Sequence, residues 1–131
     1  VSRVESLISR MTLAEKIGQL TMTACGMAVT GPTIAGDSTE AIKSGEIGNL
    51  LNLVGMDNVR GMQRLAVEES RLGIPLLIGY DVIHGHRTLF PIPLGEAATF
   101  DPRSWALSAR ESACEAAADG LAMTFAPMLD V

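Results

Sequence analysis

The stretch Ile74-Pro75-Leu76-Leu77-Ile78-Gly79-Tyr80 is an apolar run that passes without a spacer into Asp81-Val82-Ile83-His84-Gly85-His86-Arg87. A short run of this kind suits a strand covered on both faces, the usual state of strands in parallel sheets. Parallel α/β folds, whether open sheets or (β/α)₈ barrels, mount their ligand groups at the carboxyl ends of such strands, because a rigid strand aims them. An acid, two histidines and an arginine directly after the run therefore mark this segment as the first place to look for a site.

The rest of the chain reads as alternating helix and strand, the pattern of an α/β fold. A helix is predicted over residues 2–9 with Val4, Leu7 and Ile8 on one face, and Thr12-Leu13-Ala14-Glu15 has the capping-box form that opens a second. That second helix is expected to turn Leu13, Ile17 and Leu20 inward. Residues 25–38, rich in Gly and Thr, read as an irregular loop, followed by a helical turn at 41–44 and a first strand at 47–53. Asp57 is expected to cap a helix running to about Arg71, before the second strand at 76–80 and a loop holding Arg87, Phe90, Pro91 and Pro93. Asp101-Pro102 opens an alanine-rich helix ending near Asp119-Gly120, and residues 123–126 form a third strand.

The totals bound what such a chain can be. Its 131 residues are 47% apolar and 19% charged, a globular composition, but a complete barrel needs roughly 250 residues. A net charge of −5 with no basic stripe argues against nucleic acid as a partner. No apolar run approaches the ~20 residues that cross a bilayer, so no membrane partner is expected, and the amino end is not a signal peptide. Because the chain begins at Val1, upstream processing or truncation is one expectation. Cys25 and Cys114 lie far apart, show neither metal nor redox spacing, and read as ordinary buried thiols. No phosphate-binding glycine fingerprint follows a strand, so no cofactor is implied.

Four segments in order resemble the amino-terminal part of glycoside hydrolase family 3, especially bacterial β-glucosidases. They are Met11-Thr12-Leu13-Ala14-Glu15-Lys16-Ile17-Gly18-Gln19-Leu20, then Gln63 through Leu77, then Gly79-Tyr80-Asp81-Val82-Ile83-His84-Gly85, and Phe125-Ala126-Pro127-Met128. The resemblance covers nearly the whole chain. It implies that residues 1–131 are part of the family's amino-terminal barrel domain, an amino-terminal portion of a TIM-type (β/α)₈ barrel with about three parallel strands and intervening helices. It also implies a retaining, exo-acting enzyme hydrolysing terminal β-D-glucosyl residues from oligosaccharides or glucosides, in a periplasmic or secreted setting. Retaining glycosidases need two carboxyl groups about 5–5.5 Å apart. In the family the nucleophile lies on a later strand and the acid/base beyond the barrel, so neither is expected here and the isolated chain is expected to be inactive.

By the same resemblance Asp81 matches the position that grips hydroxyls of the terminal sugar, a task that suits an ionised carboxylate accepting paired hydrogen bonds. Read from its position alone, Asp81 is equally a loop acid capping a backbone turn. His84 is expected to donate to a carbonyl, stack in the loop or brace the Asp81 turn. Arg87 either pairs with an acid near the pocket or stands solvated. Asp130, after the third strand, is a further candidate on the ligand side, supporting the residues that touch the sugar. The pair His84-x-His86 raises a rival reading, a metal-dependent hydrolase, although no third ligand is evident. Trp105 invites sugar stacking, but on an alanine-rich helix it suits packing. A different class of reading takes the chain as a silent or engineered partial barrel. Such a piece would associate with itself, with the remainder of the barrel, with a second domain or with a complementary chain, because about three strands cannot close a barrel.

Overall fold

A computed structural model describes residues 2–25 and 38–128. Most of the loop expected over residues 25–38, and Asp130 as a site candidate, lie outside the described residues. Within them the order is α1 (Arg3–Arg10), α2 (Leu13–Leu20), β1 (Met22–Ala24), α3 (Ser38–Lys43), β2 (Asn49–Leu51), α4 (Met56–Arg64), a π-helical turn (Leu65–Glu69), β3 (Leu77–Tyr80), α5 (Pro93–Ala97), α6 (Pro102–Ala118) and β4 (Met123–Thr124).

The four strands form one sheet in the order β1-β2-β3-β4, every neighbouring pair parallel. Open doubly wound sheets reverse their strand order at a switch point, whereas a barrel adds each strand beside the last. The unreversed order is that of a barrel segment, as expected, with one strand more than the sequence predicts. The additional strand, β1, is three residues long and directly follows a helix, so no apolar alternation announces it. Its place comes from long-range bonds. Thr23 pairs in register with Leu50, and the Asn49 side-chain amide donates to the Gln19 and Thr21 carbonyls, at 2.9 Å each.

The register places Thr23, Leu50 and Ile78 side by side on the helix-covered face. Leu50 and Ile78 are fully buried there with Ile42, Ile47, Val59, Ala66, Leu76, Ala116 and Leu121. Burial of the leucine, isoleucine and valine side chains among these stabilises by about 1.5–3 kcal/mol each. The opposite face carries Asn49, Leu51, Leu77, Gly79 and Met123. Leu77 is 39% exposed there while Gly79 is buried, so the second face of β3 is covered in part rather than along the whole length expected.

Helix α2 inverts its expected orientation. Leu13, Ile17 and Leu20 are 73%, 57% and 87% exposed, while Glu15 and Gly18 face the fold. The cause is a close approach: a Cβ on Gly18 would stand 1.9 Å from the Gly45 carbonyl oxygen, and Gly48 N–H donates to the Gly18 carbonyl at 2.8 Å. Helix α4 starts after Gly55 at φ 90° rather than at an Asp57 cap, and its α-helical part stops at Arg64. The following π-helical turn and Ser70, whose hydroxyl donates to the Ala66 carbonyl, carry the chain to the expected end near Arg71. The predicted loop after β3 contains a short helix, α5, started by Pro93. Cys25 is half-buried and Cys114 exposed, so neither is the buried thiol expected.

Helix α6 follows its sequence signals. Asp101 caps it by accepting from Arg103 N–H at 3.1 Å, with Pro102 in the first turn. At the other end Gly120 takes φ 85°, Gly120 N–H donates to Ala117 O and Leu121 N–H to Ala116 O, at 3.0 and 3.1 Å. This paired C-terminal arrangement satisfies carbonyls that would otherwise lack donors.

Candidate functional site

Asp81 is the first residue beyond β3, at the carboxyl end of the sheet, and it is exposed. Ile78, Tyr80 and Val82 all pack against the core. Strand alternation therefore puts Asp81 on the opposite face, the one shared by Gly79. Below it, a Cβ on Gly79 would stand 2.9 Å from the Met123 methyl and 3.4 Å from the Phe125 ring, so these side chains occupy the space a larger residue would fill. Among the described residues the Asp81 carboxylate has no hydrogen-bond or ion-pair partner, while its backbone carbonyl accepts from the Thr124 hydroxyl at 2.8 Å. The carboxylate is held by its backbone and left open to a ligand.

The chain turns sharply after Asp81. Val82 is buried at φ 47°, a left-handed conformation that a β-branched residue adopts at a cost of about 1–3 kcal/mol. The segment beyond it folds back on itself: Phe90 N–H donates to His84 O at 2.8 Å, and Gly85 pairs with Leu89. The segment is then fastened to α6. Glu115 accepts from the Arg87 and Thr88 N–H groups at 2.8 Å each and from the Thr88 hydroxyl at 2.6 Å. Asp119 accepts from His86 Nε2 at 2.7 Å and from Arg87 Nε and Nη2 at 3.1 and 2.5 Å. Both carboxyls are held below their ordinary range, Glu115 first by the Thr88 hydroxyl and Asp119 first by the Arg87 guanidinium, then by His86.

The sequence candidates thus occupy three environments. Asp81 faces the open end of the sheet. His84 is exposed, with Nδ1 3.2 Å from the Phe90 carbonyl oxygen. Arg87 is joined to Asp119, the acid-paired alternative of its two expected states. His86 turns away from His84 into the interior, its side chain 5% exposed and its ring set edge-on to Tyr80 with centroids 5.6 Å apart. The two histidines are therefore occupied separately, and among the described residues no three His, Cys, Asp or Glu side chains gather as a metal-binding group. Trp105 donates its indole N–H to the Glu96 carbonyl at 2.5 Å, joining α6 to α5.

A cavity of about 520 Å³ lies beside this loop, walled by Ser108, Ser112, Ala113 and Ala116 of α6 and by Phe90 and Met123. It is largely apolar, in contrast to the open, charged end of β3. The residues not singled out from sequence are Glu115 and Asp119. Asp119 reads in sequence only as part of a helix stop, yet a carboxylate at a helix C-terminus opposes the helix dipole, and that is the signal by which a loop of opposite charge could have been sought.

Residues 12–131 match the glycosyl hydrolase family 3 N terminal domain. Over 98% of its length the chain is 45% identical to a periplasmic beta-glucosidase of Salmonella typhimurium and 30% identical to a lysosomal beta glucosidase of Dictyostelium discoideum. It spans 16% and 18% of those proteins, respectively. Among solved structures it is similar to a beta-glucosidase from Listeria innocua in complex with isofagomine, with a TM-score of 0.84 and 36% identity, over 100% of this chain and 18% of that one. The same enzyme in complex with glucose matches 98% of this chain and 19% of its own, with a TM-score of 0.82 and 35% identity.

Proposed function

The chain belongs to glycosyl hydrolase family 3, and on that premise we propose that residues 1–131 form the first part of the barrel domain of a retaining, exo-acting β-glucosidase. In this reading the whole enzyme removes terminal β-D-glucosyl residues from oligosaccharides or glucosides, and this part supplies one grip on the terminal sugar. The observation that carries it is Asp81, an unpartnered carboxylate at the carboxyl end of a barrel-ordered strand. Its two oxygens can accept from vicinal hydroxyls, and hydrogen bonds of this kind help most when they strengthen as the ring distorts toward the transition state. His84 and Arg87 belong to the loop that shapes this grip. The 45% identity to a periplasmic relative supports a periplasmic or secreted setting for the whole protein.

Bond cleavage is assigned to carboxyl groups elsewhere in the longer polypeptide, so this part contributes binding and orientation. In the full-length protein Asp81→Ala is expected to lower kcat/KM for an aryl β-glucoside by at least about 10²-fold, measured by release of the aglycone. Unchanged kcat/KM would overturn the assignment of Asp81.

A further inference from the structure

Asp119 is out of place by the rules of helix ends. It occupies the C-cap of α6, where the helix dipole disfavours an anion, and it is only 6% exposed, so water does little to offset that. Helix termination does not require it, since Gly120 and the paired bonds to Ala116 and Ala117 already close the last turn. The groups that answer its charge come from the loop after β3, His86 and Arg87.

His86 has little else to orient it. Among the described residues its Nδ1 is buried with no hydrogen-bond partner, so Nε2 on Asp119 is the ring's polar anchor. The ring edge then meets Tyr80 at an interplanar angle of 84°. Tyr80 is the residue before Asp81, and the left-handed Val82 is the residue after it, a conformation held by surroundings rather than by preference. Asp119, His86, Tyr80 and Asp81 thus form a physical chain from the end of α6 to the candidate sugar contact.

We propose that Asp119 is a positioning residue for the terminal-sugar site: by orienting His86 against Tyr80, it fixes the direction in which the Asp81 carboxylate leaves β3. This rests on the reading of Asp81 as a sugar contact. Displacement of such a group by a fraction of an ångström costs transition-state binding, which is why a change without substrate contact can still lower the rate.

The test is a double-mutant cycle in the full-length protein with an aryl β-glucoside, comparing Asp119→Asn, Asp81→Ala and the two together. Asp119→Asn is expected to reduce kcat/KM about tenfold or more, chiefly through kcat, and to add almost nothing once Asp81 is alanine. Equal losses in both backgrounds, or wild-type kinetics for Asp119→Asn, would overturn the proposal. Loss of activity absent in Asp81→Ala would instead overturn the underlying reading of Asp81, and the proposal with it. Should Asp119→Asn fail to fold, Tyr80→Leu leaves the ion pairs of Asp119 in place and removes the ring contact. It is expected to show the same dependence on Asp81, and an additive effect would overturn the proposal.

Discussion

Glu15 shows how one carboxylate can hold distant parts of a chain together. Arg71 donates to it through Nε and Nη2 at 2.9 and 2.6 Å, and Thr12 N–H donates at 2.7 Å. These donors, the Arg71 side chain foremost, hold its pKa at about 2 instead of the usual 4.5. A carboxyl depressed by folding stabilises the folded state fully above its ordinary pKa, and that contribution is lost as pH falls toward the folded value. The stability difference between the protein and its Glu15→Gln variant should therefore be constant above pH 4.5 and shrink between 4.5 and 2, measured by denaturant unfolding at a series of pH values. A difference independent of pH through that window would contradict the role given to Arg71. Sequence shows half of this residue: the spacing of Thr12 and Glu15 announces the capping box, while Arg71 is 56 residues away and no local pattern connects them. Asp81 stands out in the sequence as a candidate because an apolar strand precedes it. Asp119 does not, because a helix stop looks the same whether its acid is idle or engaged.

Elements were legible where local chemistry agrees with the tertiary fold. Asp101 and Pro102 define the start of α6 and Gly120 its end, and both hold in the structure. Helix α2 has equally clear sequence signals, yet its apolar stripe points outward because the contact is made by backbone against backbone at Gly18. Periodicity reports which side chains want burial and carries no information on how near two backbones must come. Gly18→Ala is accordingly expected to destabilise the protein by about 1–3 kcal/mol, because the new methyl would meet the Gly45 carbonyl, a backbone atom that cannot rotate away. Denaturant unfolding checks this, and an unchanged midpoint would mean that α2 is not seated on residues 45–48. Strand β1 was illegible for a related reason: three residues suffice only because β2 supplies the hydrogen-bonded template beside them.

At the scale of the whole molecule, the alternation of helices and strands predicts α/β, and the unreversed strand order observed among the described residues is what distinguishes a barrel segment from an open sheet. An eight-stranded barrel closes on itself and leaves no edges, whereas this sheet ends in β1 on one side and β4 on the other. Beside β4 the cavity of about 520 Å³ is bordered by the exposed Ala109, Ala113 and Ala117 of α6, and Leu13, Ile17 and Leu20 leave an apolar stripe on α2. All of these surfaces ask for cover, which fits a chain spanning 16% of its periplasmic relative. The 131-residue chain prepared alone is therefore expected to associate with concentration and to release no aglycone from an aryl β-glucoside, because strand edges and apolar faces drive pairing while the function proposed above assigns the reacting carboxyl groups to other parts of the polypeptide. Sedimentation velocity over a concentration series, with intact mass and turnover measured on the same sample, checks both statements. A stable monomer at every concentration would refute the pairing. Turnover by a sample whose mass shows this chain alone would mean that carboxylates within these residues perform the cleavage, and the assignment of binding here and chemistry elsewhere would fall.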